Sequence, residues 1–126
     1  DTIFAYDFEM KTGSISNKRP FISFPSEAKG FPDGITVDSE GYIWCAIGVL
    51  GKILRIDPKG QITQTYSFPV PGITSCMFGG KDLQTLYVTS SRENMTDSDL
   101  QKYPLSGNLF SIETNVRGVP EPFVHI

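Results

Sequence analysis

Apolar residues in this chain fall in short runs bounded by Gly, Pro, Asp, Asn and Ser, and almost nowhere at the three-and-four spacing of an amphipathic helix. The pattern predicts an all-β chain. Residues 2–8 carry Ile3, Ala5, Tyr6 and Phe8 as a strand, Lys11-Thr12-Gly13-Ser14 turns it, and residues 15–24 return. A short strand at 35–37 is followed by the turn Asp38-Ser39-Glu40-Gly41 and a partner at 42–47. Residues 48–51 form a loop, 52–56 the next strand, Asp57-Pro58-Lys59-Gly60 a turn with Pro and Gly where turns favour them, and 61–68 the return. The same sequence of events then restarts: a strand at 74–78, the turn Gly79-Gly80-Lys81-Asp82, and a strand at 86–89. Residues 90–106 read as one long exposed loop, and strands at 107–113 and 123–126 complete the chain.

The restart is more informative than any single strand. A period of roughly 40 to 45 residues with four short strands per unit is what a β-propeller blade requires. The chain holds about three such units. Propellers close with about four to eight blades, so three leave the ring open.

With 126 residues, 39% of them hydrophobic and 20% charged, the chain has the size and composition of one globular domain. A net charge of −3 with scattered Lys and Arg gives no basic stripe for a phosphate backbone, which argues against nucleic acid as a partner. No apolar run approaches the roughly 18 residues of a membrane-spanning helix. Cys45 and Cys76 both lie within apolar runs and read as buried free thiols, which suit a reducing compartment and predict a cytoplasmic location. Asn94-Met95-Thr96 fits the glycosylation pattern, but nothing else points to secretion. The chain opens on Asp1-Thr2-Ile3 without an initiator Met, a charged leader or a signal-like segment, and it does so in mid-strand. This predicts a missing segment upstream.

Candidate chemistry centres on Phe31-Pro32-Asp33-Gly34-Ile35. Pro32 fixes its own φ and Gly34 permits any corner geometry, so Asp33 is a carboxylate held at the lip of a strand, as either a turn-former or a metal ligand. Asp38 and Asp57 sit where Asp caps its own backbone. Thr74 and Ser75 open a strand that would be innermost in its blade, so either could line an axial cavity. Arg92 reads as a solvated loop residue or a contact for an acidic ligand. His125, the only histidine, lies beside the terminus and makes a poor base. Trp44 and the phenylalanines read as packing between blades. No Ser-His-Asp set, phosphate loop or Cys-rich metal motif can be assembled.

Several segments together resemble the regucalcin, gluconolactonase and luciferin-regenerating enzyme family, also called the senescence marker protein family. These are Ile15-Ser16-Asn17-Lys18-Arg19-Pro20, the Pro32-Asp33-Gly34 run through Trp44, Thr74-Ser75-Cys76-Met77-Phe78-Gly79-Gly80, and Leu86-Tyr87-Val88-Thr89-Ser90 followed by Gly107-Asn108-Leu109-Phe110. The resemblance spans essentially the whole chain and implies the carboxy-terminal part of a single six-bladed β-propeller, a half-propeller completed by an upstream segment. It further implies one divalent metal ion, whether calcium, zinc, manganese or magnesium, on the central axis. The family holds that ion with a Glu, two Asn and the Asp of the Pro-Asp-Gly run. Only the last falls in this sequence, as Asp33; the others would lie upstream of Asp1.

The implied activity is metal-dependent lactone hydrolysis, with Asp33 as both metal ligand and proposed base for the attacking water, and with residues 1–126 inactive alone. Two other readings stay open. One is a non-catalytic calcium-binding regulatory propeller, and the other is an inert half-propeller that needs a partner chain. The expected partners are a small-molecule lactone and either an upstream fragment of the same protein or a second copy.

Overall fold

A computed structural model describes residues 1–24 and 30–122. Among the described residues, nine strands and one short helix follow one another in the order β1 (Thr2–Glu9), β2 (Ser14–Ser23), β3 (Phe31–Val37), β4 (Ile43–Gly48), β5 (Lys52–Ile56), β6 (Ile62–Ser67), β7 (Ile73–Gly79), β8 (Thr85–Ser90), α1 (Asp97–Lys102) and β9 (Leu109–Glu113). All pairings are antiparallel and join strands consecutive in sequence, with breaks between β2 and β3 and between β6 and β7. They form three sheets: a hairpin β1-β2, a four-stranded meander β3-β4-β5-β6, and a three-stranded meander β7-β8-β9. The fold is all-β, as the apolar pattern predicts. The expected strand at 123–126, with His125, lies outside the described residues.

The sheets stack face to face because β4 and β5 are apolar on both sides. Trp44, Ala46 and Ile53 point toward the third sheet and pack on Ile73, Cys76, Phe78, Leu86 and Val88. The Trp44 indole meets Phe78 edge-on at 5.4 Å and stacks on Tyr66 at 5.3 Å. Cys45, Ile47, Leu54 and Ile56 point the other way, onto Ile3, Phe21, Ile22 and Phe24 of the hairpin and the residue after it. Apolar residues on both faces of a strand mark a layer covered on both sides.

That cover stops halfway across the middle sheet. Ile35 pairs with Cys45 and Val37 with Ile43, so these β3 side chains share the face that the hairpin packs on. The hairpin has only two strands and reaches the outer half, leaving Ile35 50% and Val37 42% exposed. The third sheet likewise turns Tyr87 and Leu109 to solvent. After β9 the chain crosses back to the middle sheet, where Asp38 bridges Gly118 and the Ser39 N–H donates to the Arg117 carbonyl at 2.8 Å. Residues 114–118 therefore tie two sheets together.

Two local expectations are corrected. The strand expected at 35–37 begins at Phe31, so Pro32-Asp33-Gly34 lies inside β3. Pro32 is tolerated there because β3 is an edge strand. The loop expected over 90–106 carries α1, whose N-terminus is closed by a capping box in which the Thr96 hydroxyl accepts from the Asp99 N–H and the Asp99 carboxylate accepts from the Thr96 N–H.

Candidate functional site

Within β3, Pro32 pairs with Ile47 and Ile35 with Cys45, so Asp33 and Gly34 together oppose a single residue of β4. Such a bulge bends the strand and re-aims a side chain. Gly34 is required by its neighbour. A Cβ there would lie 2.2 Å from the Ser75 Oγ and 2.8 Å from the Ser75 Cα, so only glycine lets β3 and β7 approach this closely. The approach brings Asp33 and Thr74 to one cleft of about 460 Å³, opening between β3, the corner after β4, the entry to β7 and the segment 91–103.

Asp33 differs from the other strand and turn carboxylates in having no bonded partner. It is exposed on the cleft, and no hydrogen bond or ion pair among the described residues engages its carboxylate. Asp57 accepts the Lys59 and Gln61 N–H groups, each at 2.8 Å. Asp38 is buried; its Oδ1 accepts from the Glu40 and Tyr42 N–H groups at 3.0 Å. Its Oδ2 accepts from the Trp44 Nε1–H and the Arg55 Nε–H at 2.8 Å. Burial alone would raise the Asp38 pKa, but the Trp44, Tyr42, Arg55 and Glu40 donors outweigh it and hold the carboxyl below its ordinary value. Both residues are turn-formers, as expected. The bonds from Asp38 to Trp44 and Arg55 were not legible in the turn pattern.

Of the other candidates, Thr74 lines the cleft with its hydroxyl 2.8 Å from that of Thr89. Ser75 packs against Gly34 instead. Arg92 is an exposed loop residue, as expected, and its Nε–H donates to the Ser106 carbonyl at 2.6 Å, which closes the neck of the segment carrying α1. Cys45 and Cys76 are buried free thiols. Burial pushes Cys45 up to about 11, the Asp33 carboxylate adding to that while a backbone hydrogen bond from Asp33 opposes it. Burial, with the neighbouring Cys45, pushes Cys76 up to about 12.

Asp33 supplies one hard anionic oxygen, a donor that suits a divalent cation. One carboxylate does not close a site, and among the described residues no group of three or more His, Cys, Asp and Glu side chains is gathered to hold a metal ion. No helix among those residues is long and apolar enough to cross a membrane.

Comparison with known proteins bears on the family and the fold. The chain is 41% identical over 118 residues to regucalcin of Danio rerio, covering 92% of this chain and 40% of that protein. It is 37% identical over 124 residues to a putative sugar lactone lactonase, YvrE, of Bacillus subtilis, covering 96% of this chain and 42% of that one. The crystal structure of a calcium-binding protein, regucalcin, from Agrobacterium tumefaciens superposes with a TM-score of 0.92 at 30% identity, over 99% of this chain and 42% of that one. The chain thus spans about two fifths of the length of the relatives it matches. Residues 1–92 match the model of the SMP-30/Gluconolactonase/LRE-like region, and the chain belongs to that family.

Proposed function

We propose that the whole protein is a metal-dependent lactonase of the gluconolactonase and luciferin-regenerating type, and that residues 1–126 form the carboxy-terminal part, about three blades, of a six-bladed β-propeller. The half-covered face at Ile35 and Val37 supports an upstream partner, since it is where the inner strands of a preceding blade would pack. The observation that carries the catalytic reading is the free carboxylate of Asp33, held on a cleft by a bulge while neighbouring Asp residues are tied into turns.

A divalent metal held by Asp33 and upstream ligands would polarise the lactone carbonyl as a Lewis acid. Asp33 itself is the base: its carboxylate orients a water and takes its proton as the water oxygen attacks the carbonyl carbon. The ring C–O bond breaks as the ring oxygen takes from Asp33 the proton it removed from the water, and a hydroxy acid results. The two buried free thiols support a cytoplasmic setting. The regucalcin relatives favour calcium as the first ion to test, and they carry the second reading, a propeller that binds calcium without turnover.

The test is lactone hydrolysis by the whole protein with calcium, magnesium, manganese or zinc added. Turnover should require a metal, and Asp33→Asn should lower kcat by about 10²–10⁴. If neither an aldonolactone nor an alkyl lactone is hydrolysed and Asp33→Ala changes only metal affinity, the hydrolase reading fails and the binding reading stands.

A further inference from the structure

The strands β3 and β7 lie side by side and in step. Gly34 sits against Ser75, and the Thr36 hydroxyl meets the Met77 Sδ at 3.4 Å, so both contacts join residues 41 apart in the chain. A constant offset means that the two strands run in the same direction. One residue earlier on each strand, Thr74 falls beside Asp33, and both line the cleft. The match extends to the backbone. In β7, Ile73 pairs with Ser90 and Ser75 with Thr89, which leaves Thr74 as an extra residue without a partner on β8. Neighbouring strands thus bulge at matching positions, and a bulge re-aims the side chain it carries. In β3 that side chain is the Asp33 carboxylate, and in β7 it is the Thr74 hydroxyl.

The hydrogens decide what Thr74 offers. Its hydroxyl lies 2.8 Å from that of Thr89, and each carries one hydrogen. The other acceptor that the structure gives the Thr89 hydroxyl is the Ser75 carbonyl, at 3.5 Å, which is long for a hydrogen bond. Thr89 is therefore best satisfied by donating to Thr74. That frees the Thr74 O–H for an oxygen in the cleft and polarises it as a donor. Asp33, as a carboxylate, accepts and cannot donate. Ser91, Asn94 and Tyr103 also bring donors, but from the segment 91–103 and not from the strand beside Asp33.

Resting on the lactonase reading, we infer that Thr74 is a catalytic residue that donates a hydrogen bond to the lactone carbonyl oxygen, with Thr89 as the positioning residue behind it. As the water oxygen bonds to the carbonyl carbon, the π pair moves onto that oxygen, and a donor already in place gains most where charge grows. The pair returns when the ring C–O bond breaks, and the Thr74 proton never leaves its oxygen. A carbonyl oxygen has two lone pairs, so this bond adds to a cation on the same atom.

The experiment uses the whole protein and follows lactone turnover, calcium affinity, and the calorimetric binding of two probes, a δ-lactam and a cyclic phosphonate. The lactam copies the planar ground state and the phosphonate the tetrahedral anion. Thr74→Val keeps the shape and removes the donor, and it should lower kcat by about 10²–10³ with KM and calcium affinity near their wild-type values. It should weaken the phosphonate at least about tenfold and leave the lactam as it was. Thr74→Ser should recover most of both losses, and Thr89→Val should cause a smaller loss of the same kind, which Thr89→Ser does not. Failure of the phosphonate to bind wild type, unchanged phosphonate affinity in Thr74→Val, or a fall in calcium affinity equal to that of Asp33→Asn would overturn the inference. Turnover judges the hydrolase reading separately. If wild type hydrolyses no lactone, that reading falls, and the phosphonate still decides whether Thr74 donates into the cleft.

Discussion

Replacing Asp38 by Asn tests whether the corner between β3 and β4 is held by charge. Asn keeps one carbonyl oxygen for the Glu40 and Tyr42 N–H groups, so the turn itself survives. Its amide then points N–H bonds at the Trp44 Nε1–H and the Arg55 guanidinium, which now donate to Oδ2 at 2.8 Å. Arg55 is poorly exposed and is also paired with Glu40 at 2.6 Å, with its guanidinium 3.9 Å over the Tyr42 ring, so it cannot leave cheaply. Breaking one partner of such a buried pair costs about 3–5 kcal/mol. Urea unfolding of the whole protein at pH 7 reads the loss as a fall in midpoint at constant slope. Because the folded carboxyl sits below its ordinary value of 3.8, its contribution is complete above the unfolded-state pKa and is lost as pH falls through the folded one. The gap between wild type and variant should therefore be flat above about pH 5 and narrow in acid. A loss under about 1 kcal/mol, the range of an exposed pair, or a gap that widens in acid, would refute the reasoning.

Three further outcomes follow from the packing. Gly34→Ala should destabilise by about 1–3 kcal/mol through the clash with Ser75, and Ser75→Gly should restore part of it; equal costs in both backgrounds would place the strain elsewhere. Cys45 and Cys76, with thiols at about 11 and 12 and no exposed surface to speak of, should resist a thiol reagent at pH 8 in native protein and react fully in denaturant. Residues 1–126 expressed alone should associate through the uncovered face at Ile35 and Val37, and Ile35→Lys should reduce that association; native mass spectrometry of a stable, folded monomer would contradict this.

The strands were legible because buried positions alternate along β7 and β8, and because β4 is apolar throughout and β5 carries Ile53, Leu54 and Ile56, so short runs between turn residues coincide with real strands. The restart was legible because β3-β4 and β7-β8 repeat one unit of strand, turn and strand. The start of β3 was not, since Pro and Gly normally end a strand, and here an edge position and a bulge accommodate both. The helix α1 buries no residue and so leaves no apolar periodicity; only the spacing of Thr96 and Asp99 marks it. Asp33 stood out by its Pro-Asp-Gly context, yet its cleft depends on Met95 and Tyr103, sixty and more residues away in the chain, in a stretch whose polarity disguised them.

The central claim is that Asp33 is one corner of a metal site completed by residues outside these 126. Calorimetric titration with calcium and manganese tests it on three samples: the whole protein, its Asp33→Asn variant, and residues 1–126 alone. The account predicts one site in the whole protein, at least about tenfold weaker binding in the variant, and no site in residues 1–126. Unchanged affinity in the variant, or binding by residues 1–126 as tight as by the whole protein, would contradict it.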